Sequence, residues 1–128
     1  MRCAKRVLGL PLFAALLLAG CATLPPAKPV QDLKVLSGTW TGTVVTRGGG
    51  SHTATMTIND DGTYVAVVPT IPPGTFKGTA RVVGGKVQIK SETTGRTGTW
   101  TLHEGDGQRV LIVIADDGSS ESRYTPQR

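Results

Sequence analysis

From Ser37 to the end of the chain, apolar and polar residues alternate with a period of two, and turn-forming clusters interrupt the pattern every eight to twelve residues. That rhythm predicts a sandwich or barrel of short antiparallel strands. Eight are expected, at about 38–46, 52–59, 63–69, 75–83, 86–92, 97–103, 108–115 and 119–125. No stretch keeps a helical period. Thr53, Thr55 and Thr57, and again Thr97, Thr99 and Thr101, fall on one phase, where a β-branched polar side chain suits the wet face of a sheet. Ala54, Met56, Ile58, Trp100 and Leu102 fall on the other, facing the core.

The turns fix how these strands pair. Val83-Gly84-Gly85-Lys86 is a two-residue hairpin, because a primed turn needs the positive φ that glycine supplies. Its register sets Val82 opposite Val87, Ala80 opposite Ile89 and Lys77 opposite Glu92. Asp60-Asp61-Gly62 and Asp116-Asp117-Gly118 read as one device used twice, a type I turn closed by glycine. The first aligns Met56 and Ile58 with Tyr64 and Ala66; the second is expected to align Ile112 and Ile114 with Ser120 and Ser122. Such connections make an up-and-down meander.

A Gly-Thr-aromatic tripeptide opens four of the strands, at Gly38-Thr39-Trp40, Gly62-Thr63-Tyr64, Gly74-Thr75-Phe76 and Gly98-Thr99-Trp100. In a meander, Trp40, Tyr64 and Tyr124 fall at one rim, and Phe76 and Trp100 at the other. These aromatics either plug both ends of a barrel or serve as ordinary core residues after turn glycines. Between them the inward positions Gly42, Ala54, Ala66, Gly78, Ala80 and Gly98 are small, so the interior is either a cavity or narrow and filled.

Leu36-Ser37-Gly38-Thr39-Trp40-Thr41-Gly42 resembles the first-strand Gly-x-Trp motif of the lipocalins and the wider calycin group. The resemblance implies an all-β, eight-stranded antiparallel up-and-down barrel with a ligand in its mouth. It also implies a basic side chain of the closing strand packed on the tryptophan, and Arg123 is the position that matches. Trp40, Tyr64, Phe76, Trp100 and Arg123 are thus the candidates for closing the barrel or lining a ligand site. The chain departs from the lipocalins in lacking a counterpart of their Thr-Asp-Tyr motif and a helix after the last strand.

The pattern before Ser37 is different. An apolar run from Val7 to Ala19 follows Arg2, Lys5 and Arg6, and ends in Leu18-Ala19-Gly20-Cys21. A membrane-spanning helix needs about twenty apolar residues, so this run is too short. The segment resembles a bacterial lipoprotein signal peptide, with Leu18, Ala19 and Gly20 as the peptidase recognition sequence and Cys21 as the lipidated residue. The implied organisation is a signal peptide at 1–20, a lipidated N-terminus and linker at 21–36, and a barrel domain at 37–128. Pro25, Pro26 and Pro29 keep the linker extended, and Ala22 to Val35 reach at most roughly 50 Å. Ala22, where inner-membrane lipoproteins of enteric bacteria carry Asp, implies the periplasmic face of the outer membrane.

Composition changes the picture in two respects. The formal charge of +5 includes Arg2, Lys5 and Arg6; without them eleven basic side chains (14 less 3) face nine acidic ones, a net +2. A basic stripe with stacking aromatics is missing, so nucleic acid is not an expected partner. Cys3 lies in the signal and Cys21 carries the lipid, which leaves the barrel without a cysteine.

Chemistry is sparse. His52 and His103 stand in no catalytic motif, and Arg47-Gly48-Gly49-Gly50-Ser51 lacks the ending of a phosphate-binding loop. The paired aspartates do not follow calcium-loop spacing. No enzyme activity, metal or cofactor is expected. Lys77, Arg81, Lys86 and Lys90, with Arg96 beyond, share an outer face that is either a solvated wall or a patch for an anionic partner. Two functions stand side by side. The barrel either carries a small apolar ligand, or binds an envelope protein through its loops or outer face, as small barrel inhibitors of lysozymes and proteases do. In the second case Ile71, Pro72 and Pro73 are the contact residues, being stiff and apolar.

Overall fold

The computed structural model describes residues 24–69 and 74–127. The recognition sequence Leu18-Ala19-Gly20, Cys21, and the contact candidates Ile71, Pro72 and Pro73 lie outside these residues.

The chain forms a closed, eight-stranded antiparallel barrel. Its strands are β2 (Gly38–Thr46), β3 (Ser51–Ile58), β4 (Thr63–Val68), β5 (Gly74–Val83), β6 (Lys86–Ser91), β7 (Thr97–Gly105), β8 (Gln108–Ala115) and β9 (Ser120–Pro126), preceded by a two-residue β1 (Ala27–Lys28). Each barrel strand pairs with its neighbours in sequence, and β9 returns to β2, with Trp40 opposite Pro126 and Thr46 opposite Ser120. Closure leaves no long strand edge exposed.

The period-two pattern translates directly into burial. Trp40, Ala54, Met56, Ile58, Tyr64, Val87, Trp100, Leu102, Leu111 and Tyr124 are buried in one contiguous core, whereas the alternating threonines lie on the outer face. The Gly84-Gly85 turn has φ of 61° and 83°, and it sets Val82 opposite Val87 and Ala80 opposite Ile89. Glu92 N–H donates to the Lys77 carbonyl at 2.8 Å, in the expected register. Ile58 stands opposite Tyr64 and Met56 opposite Ala66.

The second aspartate turn differs. Ile112 pairs with Arg123 and Ile114 with Glu121, so the isoleucines share the outer phase and Val113 stands opposite Ser122 inside. The loop is one residue longer than the Asp60-Asp61-Gly62 turn. Ser119 stays out of the ladder because its carbonyl accepts from Arg47 N–H at 2.9 Å, tying it to the neighbouring β2–β3 loop.

The proline-rich stretch also departs from expectation. From Leu24 onward it is not a free linker but is docked across one end of the barrel. At that end β7 continues past the last residue paired with β6, and β1 takes the vacant edge, with Ala27 opposite His103 and Lys28 opposite Leu102. Val30 N–H then donates to Gly85 carbonyl at 2.7 Å, and a 3₁₀ turn (Leu33–Leu36) capped by Asp32 leads into β2. Val30 and Leu36 are 1% and 0% exposed. Apolar burial of about 25 cal/mol per Å² explains why this segment gives up its freedom.

Candidate functional site

The two ends of the barrel are built differently. The end carrying the docked segment is filled. Trp40 packs there with Leu36, its indole N–H donating to the Leu36 carbonyl at 2.8 Å. The guanidinium of Arg109 lies 5.3 Å from the Trp40 ring centroid and donates to the Val35 carbonyl at 2.6 Å. Glu104 bridges Arg109 (3.1 Å) and Lys28 (2.9 Å), which ties β7, β8 and β1 together. Its carboxyl is held below the ordinary glutamate value, first by the hydrogen bond from Lys28 and then by the two positive charges against some desolvation. The basic partner of Trp40 is therefore Arg109 of β8. Arg123, the expected match, sits on the exposed outer phase of β9 beside Thr43, Val45 and Glu121.

The opposite end holds a cavity of about 480 Å³, ringed by residues of the β2–β3, β6–β7 and β8–β9 loops. This volume falls in the roughly 300–1,000 Å³ range of small-molecule sites. Met56, Tyr64, Trp100 and Tyr124 line its deeper part, and Val44, Val68, Phe76, Ile89 and Val113 its walls. Burial raises both phenols above the ordinary tyrosine value, with the Ser91 hydroxyl beside Tyr64 and the Ser122 hydroxyl beside Tyr124 opposing the shift, so both rings remain neutral at neutral pH. Trp100 is 0% exposed, and its indole N–H has no partner among the described residues.

Of the expected site residues, Trp40 and Tyr64 belong to the same half of the barrel, as a meander requires, and Phe76 belongs to the mouth. Trp100 does not share the mouth with Phe76. It lies inside, edge-on to Tyr64 with centroids 5.3 Å apart and planes at 66°. β7 begins at Thr97, before the Gly-Thr-aromatic tripeptide, which carries the ring deeper into the barrel. Of the six small inward residues, only Ala66 and Gly98 line the cavity. Gly78 instead accommodates the Tyr64 ring, and Gly42 the close approach of the Arg123 carbonyl across the β2–β9 seam.

The mouth carries charge that the alternation alone does not reveal. Arg47 and Arg96 both line the cavity, and among the described residues no carboxylate does. They converge on the β8–β9 loop, where Arg47 Nη2 donates to the Asp117 carbonyl at 2.8 Å and Arg96 Nη1 to Ser119 Oγ at 3.4 Å. Asp117 lies 3.9 Å from Arg96 Nε, and its carboxyl is lowered first by hydrogen bonds from Ser119 and only then by the two arginines. Lys77, Arg81, Lys86 and Lys90 are exposed on the outside wall. Among the described residues no three histidine, aspartate or glutamate side chains come together as a metal site.

No family model matches the chain, and a search of curated proteins returned no match. The closed barrel itself is consistent with a calycin-like domain.

Proposed function

We propose that this protein is a lipid-anchored envelope lipoprotein whose barrel binds a small, largely apolar ligand and performs no catalysis. The observation that carries the reading is the cavity. Protein interiors are normally packed to the density of organic crystals, and unfilled space forgoes dispersion contacts. A barrel that seals one end with tryptophan, leucine and valine yet keeps 480 Å³ accessible at the other is shaped for an occupant.

The docked segment gives the anchor a direction. Pro25 and Pro26 lie against Gly105, at the filled end. Only three peptide steps separate Cys21 from Leu24, a reach of about 10 Å. A lipid on Cys21 thus holds the filled end toward the bilayer and turns the mouth away from it. Each acyl methylene contributes about 0.8 kcal/mol, so a multiply acylated cysteine is a lasting anchor.

The test uses the full-length chain. Labelled palmitate supplied to expressing cells should enter the protein, and Cys21→Ser should abolish incorporation. A lipophilic dye titrated into the Cys21→Ser chain should bind saturably at one site, and Ala66→Trp, which fills the cavity, should abolish that binding. Dye binding indifferent to Ala66→Trp would remove the ligand reading while leaving the anchor intact.

A further inference from the structure

The lining of the cavity is divided by chemistry along its depth. Its inner part presents Met56, Tyr64, Ala66, Trp100 and Val113, and its rim presents two guanidinium groups, Arg47 and Arg96. The two carboxylates of the β8–β9 loop are engaged mainly by other partners. Asp117 is occupied by Ser119, whose N–H donates to it at 2.9 Å, and Asp116 accepts from Thr99 on the outer face at 3.3 Å. Among the described residues Arg96 therefore has only a loose ionic partner at 3.9 Å, and Arg47 donates to a neutral carbonyl. Two cations held side by side by one loop, over an apolar chamber, suit a molecule with a negative end and an apolar body.

Building on the ligand-binding reading, we propose that the barrel takes an anionic amphiphile, a single apolar chain or ring system ending in a carboxylate, sulfonate or phosphate. The anionic group sits at the rim between Arg47 and Arg96, and the apolar body descends toward Trp100. Guanidinium groups pair with such oxyanions through charge-assisted, often bidentate, hydrogen bonds. The head stays at the rim, where it remains partly hydrated, because the deeper wall offers a full charge no counter-ion. The tail meets only neutral groups.

Decanoate and decanol, which share a chain and differ in the charge of the head, separate this idea from simple apolar binding. Each is titrated calorimetrically into the full-length Cys21→Ser chain at neutral pH. Decanoate should bind about fivefold tighter than decanol, a difference that fits partly exposed ionic contacts. Replacing both arginines (Arg47→Gln with Arg96→Gln) should bring the two affinities together, whereas Arg81→Gln, on the outer wall, should leave their ratio unchanged. Raising the salt concentration should weaken decanoate selectively. Equal binding of the two by the unaltered chain, or a preference for decanoate that survives loss of both arginines, would overturn the proposal while the cavity reading stands. Binding of neither, in a chain whose circular dichroism shows an intact barrel, would overturn both.

Discussion

The filled end and the open end of this barrel are made from the same eight strands, yet they solve opposite problems. At the filled end Trp40 packs with Leu36 and Arg109, and a segment outside the barrel completes the closure through Val30, Leu36 and β1. At the open end small inward residues, Ala66, Ser91, Gly98, Ala115 and Ser120, stand among Val44, Val68, Phe76 and Ile89, and the loops above supply arginine, serine and threonine. A closed sheet leaves only its two ends for variation. Here one end carries stability and the other accessibility, so a substitution should be felt as unfolding at one and as altered binding at the other.

The largest contrast should come from the aromatics. Trp40 is 1% exposed and holds Leu36 and Arg109 in place, so Trp40→Ala should cost about 3–5 kcal/mol of unfolding free energy. Phe76 is half-buried beside space that is already open, and Phe76→Ala should cost about 1–2 kcal/mol. Urea denaturation measures both, and equal losses would mean the two ends share the load.

Glycines offer a finer probe of the same division. A methyl group at Gly42 would run into the Arg123 carbonyl, which belongs to backbone and cannot swing aside. Gly42→Ala should therefore cost about 1–3 kcal/mol and open the β2–β9 seam. Gly48, in the mouth loop, has no neighbour among the described residues within 4 Å of such a methyl, and Gly48→Ala should stay within about 0.5 kcal/mol. Thermal unfolding of the two variants would put the comparison to the proof; a sensitive Gly48 would show the mouth to be packed after all.

The wall of the barrel was more legible in the sequence than either end. Period-two alternation and the Gly84-Gly85 turn depend on neighbours in the chain, so strands and register could be read locally. What was missed depends on contacts between distant segments. Ser119 leaves the ladder because Arg47 holds its carbonyl. Arg109 reaches Trp40 only once β8 has curled around to the filled end, and nothing in the heptapeptide at Trp40 distinguishes it from Arg123 as the partner. The docked segment did leave a trace: Val30, Leu33 and Leu36 recur every third residue among prolines and polar residues, a spacing that suits a tight turn pressing one side against a core. The convergence of Arg47 and Arg96 left none, since each looks like an ordinary loop cation.

The smallest expected effect lies in the tie between β1 and the barrel, and it separates closure from core. Glu104 has a lowered carboxyl because Lys28 and Arg109 favour its charged form. The sign follows: a group whose folded value is depressed adds stability above its unfolded value, and that contribution disappears as the pH falls through the folded value. Glu104 should thus hold β1 in place at neutral pH and release it only on acidification below the ordinary glutamate value of 4.5. The barrel strands rest on ladder hydrogen bonds and apolar burial, and need not open with it. Hydrogen exchange provides the measurement through the Glu104 amide, which donates to the Pro26 carbonyl at 3.1 Å. Once the rates are corrected for the intrinsic effect of pH, this amide should lose protection in acid, while Met56 and Leu111 keep theirs. Glu104→Gln should show the weaker protection at neutral pH already and lose the acid step. If Glu104 and Leu111 instead lost protection together, the docked segment would be part of one cooperative core with the barrel, and the filled end would be a folding nucleus rather than a lid laid over a finished wall.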